Sequence, residues 1–216
     1  MRKILLSMLA IASMVTVNAQ TVLFYDGFED YADFTITDFG DWKQFDLDGG
    51  QTWAVEGGTF PNQGYIGAGI IFNDTTADNI GMPAYAGQKG LYYFAAGANS
   101  TAYPNNDWTI SPKISIVGVT TAKLELYAKA VQLYGPDQFK IGVSTTQDVA
   151  GMTYITPNHV KPTQDWKKYE FDLSDYVGQD VYIGIHCTTD DGLTLLLDEF
   201  KVVEGTVTPL DLPDCP

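Results

Sequence analysis

Two acidic segments near the ends of the chain carry the residues best suited to metal chemistry. Asp26 and Glu29 lie in one of them, and Asp198 lies in the other. Strand alternation places Asp26 on a side with Val22, Phe24 and Phe28, and Asp198 on a side with Leu196, Phe200 and Val202. A carboxylate at a core-facing position is costly unless it is paired or bound to a metal. The sequence therefore predicts neighbouring terminal strands that hold one cation between Asp26, Glu29 and Asp198.

A second acidic pair, Asp46 and Asp48, follows in the segment Phe45-Asp46-Leu47-Asp48-Gly49-Gly50. Calcium takes six to eight oxygen ligands from carboxylates, amides and carbonyls, so both acidic regions are candidates for calcium. The Asp-x-Asp-Gly pattern is like part of an EF-hand loop, but the later ligand glutamate is absent. An Asx-type turn leading into a strand at Trp53 explains this pair equally well. For Asp198, the alternative is a carboxylate hydrogen-bonded to backbone amides.

Aromatic side chains are the other resource for binding. Trp42, Tyr65 and Tyr85 are expected in or beside loops, where aromatic rings stack on sugars or anchor protein interfaces. Trp53 and Trp108 stand at predicted strand starts, where large aromatics usually fill the core of a sandwich. The candidate ligand-binding residues are therefore Trp42, Tyr65 and Tyr85, with a structural role as the alternative for each.

Residues for catalysis are scarce. The chain has two histidines, His159 in a polar loop and His186 beside Cys187 on a predicted strand. Neighbouring strand residues point to opposite faces, so His186 and Cys187 form no ordinary Cys–His dyad. There is no nucleophile elbow, zinc-type histidine pair, phosphate loop or dinucleotide fingerprint. The prediction is a protein that is not an enzyme, and a carboxylate pair for glycoside hydrolysis is left open among the 27 acidic residues.

Residues 1–19 have the pattern of a secretory signal peptide: a basic start, an apolar stretch, and the small-residue cleavage pattern Val17-Asn18-Ala19. The remainder holds no apolar run long enough to span a bilayer, so we expect a secreted or cell-surface protein. The net charge of −15, more negative still without Arg2 and Lys3, argues against nucleic acid and anionic membranes as partners.

Residues 20–205 are expected to form one domain, followed by a proline-containing tail at 206–216. Alternation predicts strands at 21–25, 90–95, 122–130, 138–144, 167–173, 180–187 and 193–203. The segment 26–88 is rich in Gly, Asn, Asp and aromatic residues and is expected to form long loops. Short strands without helical periodicity predict an all-β sandwich. Cys187 is expected to be buried, and the sequence leaves its pairing with Cys215 open.

The order of several motifs resembles a known family. They are Phe24-Tyr25-Asp26-Gly27-Phe28-Glu29, Trp42 with Asp46-x-Asp48-Gly49 and Trp53, Asn106-Asp107-Trp108-Thr109-Ile110-Ser111-Pro112, Trp166 with Phe171-Asp172-Leu173-Ser174-x-Tyr176-x-Gly178, Val181-Tyr182-Ile183-Gly184-Ile185-His186, and Leu197-Asp198-Glu199-Phe200-Lys201-Val202. Together they cover nearly all of residues 21–204. They are similar to the cleaved-adhesin, or choice-of-anchor J, domain of secreted Bacteroidetes proteins, whose relatives form the adhesin regions of gingipain proteases.

The resemblance implies a galactose-binding-like jelly-roll β-sandwich with bound calcium and a non-catalytic binding role. It carries the family's first-strand acid over to Glu29 and its terminal-strand acid over to Asp198. This chain departs from the family at Asp48-Gly49-Gly50-Gln51, where the family often has a further acid. It also has Asp198-Glu199 where the family often has two aspartates.

Three functional hypotheses follow from these observations. The first is a calcium-stabilised extracellular module that recognises carbohydrate or protein at the cell surface. The second is a structural interaction module of the envelope that binds no small ligand. The third, a glycan-directed hydrolase on a jelly-roll scaffold, needs two carboxylates or a metal-bound water in one groove. A shared fold does not decide between them, because function depends on the site.

Overall fold

The protein is a jelly-roll β-sandwich. The computed structural model describes residues 20–97, 104–131 and 135–208. The expected signal peptide at 1–19, Cys215 and most of the expected tail lie outside the described residues. The strands are β1 Val22–Asp26, β2 Lys43–Asp46, β3 Ile70–Asn73, β4 Lys89–Phe94, β5 Asp107–Ile110, β6 Ile114–Ser115, β7 Ala122–Val131, β8 Phe139–Ser144, β9 Thr153–Tyr154, β10 Lys167–Asp172, β11 Asp180–Cys187 and β12 Thr194–Glu204. Two single 3₁₀ turns, Val149–Gly151 and Ser174–Tyr176, complete the described elements.

These strands form two antiparallel sheets. Sheet one has the order β10-β7-β12-β4-β3, with β1 also paired to β12, and sheet two has the order β2-β5-β11-β8-β9, with β6 also paired to β11. The seven strands predicted from alternation are all present, with ends that shift by one or two residues. Within the described ranges, no helix is long and apolar enough to cross a membrane.

Strands β3, β4 and β12 of sheet one are buried on both faces. One face packs against sheet two through alternating residues such as Leu195 and Leu197, which meet the sheet-two residues Ile141 and Ile183 in the main core. The opposite face, which includes Leu196, is covered by side chains from the segment 26–88. That segment is long and mostly irregular, as predicted, although it also contributes the short strands β2 and β3.

A β-bulge near the end of β12 corrects the predicted orientation of Asp198. The pairing with β7 shifts register between Asp198 and Lys201, and Glu199 has a positive φ of 53°. A bulge adds one residue to a strand and so reverses the alternation beyond it. Asp198 therefore shares its face with Leu196, as predicted, but not with Phe200, which belongs to the core between the sheets. The carboxylate points to the loop-covered face of sheet one.

Candidate functional site

The two terminal strands that carry the predicted clasp are neighbours. β1 and β12 pair antiparallel, with Asp26 opposite Phe200, so the end segments of the chain do meet. Their three acids, however, mainly hold the protein's own hydrogen-bond donors. Asp26 accepts bonds from the backbone N–H of Phe28 (2.8 Å), the Tyr31 hydroxyl (2.5 Å) and the Trp42 indole (2.7 Å). Both of its oxygens are thus engaged in fixing the loop after β1.

Asp198 and Glu29 fasten one loop from two sides. The Asp198 carboxylate is 1% exposed and accepts the backbone N–H groups of Ala86 at 2.9 Å and Glu199 at 2.6 Å. Glu29 Oε1 accepts the backbone N–H groups of Gln88 and Lys89, each at 2.8 Å. Asp198 is thus a carboxylate hydrogen-bonded to backbone N–H groups, which is the alternative stated for it from the sequence. Burial, followed by the charge of nearby Glu199, raises the pKa of Asp198 to about 7.

A cation of the protein itself lies beside Glu29. The Lys89 ammonium donates to the backbone carbonyls of Glu29 (3.0 Å) and Tyr31 (2.6 Å) and pairs with Asp33 at 3.1 Å. These are oxygen ligands of the kind that a metal ion would use. The loop between β1 and β2 is therefore bound to the start of β4 by an ammonium group.

We expect Lys89→Met to lower the free energy of unfolding by about 1–3 kcal/mol, because it leaves partly buried carbonyl and carboxylate oxygens without a donor. Urea denaturation measures this. Lys43→Met is a matched control, since the Lys43–Asp38 pair is about half exposed on both sides and surface pairs contribute little. Equal, small effects of the two substitutions would contradict the role assigned to Lys89.

Asp46 and Asp48 belong to a cluster of three acids, and the sequence pattern indicated these two but not the third. Asp46 ends β2, Asp107 begins β5, and the two residues are cross-strand partners. Carboxylate oxygens of Asp46, Asp48 and Asp107 all lie within 4.8 Å of one another. Among the described residues, this is the one such set of three or more acidic, histidine or cysteine side chains. Asp26, Glu29 and Asp198 do not form one.

Asp107 is the unusual member of this cluster. It is 2% exposed, its Oδ2 accepts a bond from the Asn105 side chain at 2.8 Å, and its Oδ1 is buried without a hydrogen-bond partner. Burial, and then the charges of Asp48 and Asp46, raise the pKa of Asp107 to about 8. Three carboxylates with no basic partner within the set, one of them buried, make this cluster a candidate for a cation site.

Asp46 and Asp48 shape the turn between them. Asp46 Oδ1 accepts the N–H of Asp48 (3.1 Å) and of Gly49 (2.7 Å), and Asp48 accepts the N–H of Gly50 (2.6 Å). Asp48 Oδ2 also accepts the N–H of Asn106 at 2.6 Å, which connects the turn to the start of β5. The Asx-type turn and the acidic cluster are thus both present at this place. In the sequence, Asp107 is marked only by its position directly before Trp108. No local pattern indicates that it lies opposite Asp46.

The three candidate aromatic residues have different environments. Trp42 is 0% exposed and Tyr65 is 6% exposed, with its hydroxyl donating to the carbonyl of Ala68, so in this structure both are core residues and offer no ring for stacking. Tyr85 is 43% exposed and stacks on Tyr127 with ring centroids 3.6 Å apart. Of the three, Tyr85 alone presents a surface ring. Tyr65 belongs to the second core, between the loop layer and sheet one, whereas Trp42 belongs to the main core.

Solved structures with the same fold are known. The chain is similar to the K1 cleaved adhesin domain of Lys-gingipain from Porphyromonas gingivalis W83, with a TM-score of 0.56 and 17% identity over 85% of this chain and 98% of that one. It is also similar to the K2 domain (TM-score 0.60, 16% identity, 84% and 98% covered) and to the K3 domain (0.56, 14%, 87% and 100%). No protein-family model and no curated protein matches the sequence. The resemblance to cleaved-adhesin domains is confirmed, and at this identity it concerns the fold.

Proposed function

We propose that this protein is a non-catalytic, calcium-stabilised extracellular module that binds carbohydrate or protein at a cell surface. The observation that carries the proposal is the cluster of Asp46, Asp48 and Asp107, with its buried, unpartnered Asp107 oxygen. A buried carboxylate next to two others is unfavourable unless a cation neutralises it. A bound cation would therefore stabilise the folded state.

Calcium fits this donor set. All three side chains offer carboxylate oxygens, which a hard divalent cation prefers, and none offers the sulfur or imidazole that favours zinc. Asp46, Asp48 and Asp107 would hold the ion. It would supply positive charge at the junction of β2 with β5 and would take part in no reaction.

The clasp predicted from Asp26, Glu29 and Asp198 is a second proposed cation position with a poorer fit. The oxygens of Asp26 are already occupied by hydrogen-bond donors, and the Lys89 ammonium lies next to Glu29. A cation there would have to displace backbone donors from Glu29 and Asp198. The two positions can be separated by mutation.

The test is thermal unfolding of the protein, from residue 20 onward, in calcium and in chelator. We expect saturating calcium to raise Tm by about 5–10 °C, the effect of a ligand at about a hundred times its Kd on a domain of this size. Asp107→Asn should remove most of that increase. Asp175→Asn, which changes an exposed acid far from the cluster, is the matched control and should keep it.

A third variant, Asp198→Asn, decides between the two cation positions. If Asp198→Asn removes the calcium effect and Asp107→Asn does not, the ion binds at the clasp. If calcium leaves the Tm of the unmodified protein unchanged, calcium stabilisation is wrong. Calorimetric titration of the unmodified protein, Asp107→Asn and Asp198→Asn with calcium gives the same comparison without heating.

Two features support a binding role. The fold is that of domains described as adhesins, and the exposed Tyr85, stacked on the partly buried Tyr127, lies in the loop held by Asp198 and Glu29. Rigid aromatic rings at a surface are suited to contacts with sugars and proteins. The acidic composition agrees with an extracellular location and with partners other than nucleic acid.

A further inference from the structure

The outward face of sheet two carries a layered aromatic group that the proposed calcium site does not use. Trp108 of β5 and His186 of β11 are cross-strand partners, and their rings stack with centroids 4.2 Å apart and planes 9° apart. Tyr154 of β9 lies almost coplanar with His186, at 12°, and its hydroxyl is 2.7 Å from His186 Nδ1. Trp108 thus supports a flat His186–Tyr154 pair.

The backbone leaves room for this arrangement. Gly142 of β8 and Gly184 of β11 lie opposite each other beneath the indole. A Cβ at Gly184 would come within 2.9 Å of the Trp108 ring, and one at Gly142 within 3.2 Å. Two adjacent glycines on paired strands thus let a large ring lie close to the sheet surface.

Hydrogen bonds fix the orientation of the group. His186 Nε2 lies 2.8 Å from the Asn106 Oδ1, so Nε2 carries the proton and Nδ1 accepts from the Tyr154 hydroxyl. The backbone N–H of Asn106 donates to Asp48. The stack is therefore anchored to the acidic cluster through one residue, and Tyr154 is held in a defined position while remaining 43% exposed.

The electrostatic environment of the stack is opposite to that of the whole protein. The Lys140 ammonium lies 4.5 Å from the centre of the Tyr154 ring. The pKa of His186 is lowered to about 4 by burial and then by the charges of His159 and Lys140. The pKa of His159 is lowered by burial and then by the charges of Lys140 and Lys161. Lys140 thus adds positive charge near both histidines of a chain with net charge −15.

The acids that line a groove with His159 are held by other groups of the protein. Glu170 and Asp172 line a groove with His159 on the far side of the 155–160 segment. Glu170 is bound there by Lys123 at 2.9 Å and Lys168 at 2.6 Å, and Asp172 accepts the N–H of Ser174. The charged group against the exposed Tyr154 ring is the Lys140 ammonium.

We propose that Tyr154 and Lys140 form a binding site for an acidic saccharide, one that carries carboxylate or sulfate groups. The proposal rests on the proposed binding function and names its site and ligand class. The ammonium held over the tyrosine ring pairs with the anionic group, and the fixed, exposed ring offers an apolar surface to the C–H face of the sugar. Charge complementarity with a patch that is positive on an acidic protein favours this ligand over a neutral one.

The test is calorimetric titration of the protein, from residue 20 onward, at low ionic strength. The probes are polygalacturonate, dextran sulfate, neutral dextran and poly-glutamate. We expect at least one of the two acidic polysaccharides to bind, dextran and poly-glutamate to bind at least tenfold more weakly, and Lys140→Ala and Tyr154→Ala each to weaken binding about tenfold. Lys140→Gln, which keeps most of the side chain, serves where an alanine variant does not fold.

Matched controls make the assignment specific. Tyr25 is 51% exposed with the Lys201 ammonium 5.1 Å from its ring centre, and Lys113 is an exposed lysine elsewhere, so Tyr25→Ala and Lys113→Ala should bind as the unmodified protein does. The proposal is overturned if neither acidic polysaccharide binds, if poly-glutamate binds equally well, or if Tyr85→Ala, not Tyr154→Ala, loses binding. That last result would keep the proposed binding function and move its site. The calcium-dependent Tm is measured without saccharide, so its failure is a separate outcome.

Discussion

Trp42→Ala is expected to lower the free energy of unfolding by about 3–5 kcal/mol, the usual cost of truncating a fully buried large aromatic. Trp42 is 0% exposed and lies among four phenylalanines, Phe24, Phe28, Phe39 and Phe200, with ring centroids 5.1–6.3 Å away. The substitution creates a cavity where both terminal strands meet the loop after β1. It also removes one of the two donors to Asp26 Oδ2, the other being the Tyr31 hydroxyl.

Urea denaturation followed by circular dichroism measures this loss. Trp42→Phe separates the two contributions, because it retains most of the apolar contact and removes only the indole N–H. Trp53→Ala is the control, since Trp53 is only partly buried and should cost less. If Trp42→Ala and Trp53→Ala cost the same, the interpretation of Trp42 as a core residue is wrong and a surface role for it returns.

The second large effect concerns Asp137, which we expect to make the protein less stable as the pH rises. Asp137 is 0% exposed, one of its oxygens accepts the N–H of Leu193 at 3.1 Å, and the other has no hydrogen-bond partner. Burial raises the pKa of Asp137 from 3.8 to about 7. Because the folded state holds the proton more tightly than the unfolded state, the unfolding free energy falls as the pH rises from about 4 to about 7.

Asp137→Asn removes this titration. The variant should match the unmodified protein near pH 4 and exceed it near pH 8 by on the order of 2–4 kcal/mol, since one unit of pKa corresponds to about 1.4 kcal/mol. Urea denaturation across this pH range gives the difference directly. The other buried acids are present in both proteins and cancel in the comparison. A difference between the two proteins that does not change with pH would contradict the raised pKa of Asp137 in the folded state.

The strands were predictable because their evidence is local. In β7, Leu124 and Leu126 alternate with Glu125 and Tyr127, and the period of two by itself specifies a half-buried strand. The same holds for β8, β10 and β11. Four strands in less regular sequence, β2, β3, β6 and β9, were not predicted, and β5 was predicted only as a strand start at Trp108, because runs of two to four residues are too short for a period to appear.

The candidate site was only partly predictable because its geometry depends on contacts between distant segments. Asp46 and Asp48 are adjacent in sequence and were identified. Asp107 joins them only because β2 and β5 pair in the register that sets Asp46 opposite Asp107. In the same way, the proposed saccharide site forms only where β5, β8, β9 and β11 bring Trp108, Lys140, Tyr154 and His186 together.

The sequence by itself determined that this protein is an all-β sandwich whose end segments lie side by side, since alternation and motif order are properties of the chain. The tertiary structure alone decided where individual side chains point. One bulge at Glu199 turned Asp198 toward the loop-covered face, and the loop layer over sheet one buried Tyr65. A single inserted residue or a covering loop changes a side chain's environment completely while leaving the local sequence pattern the same.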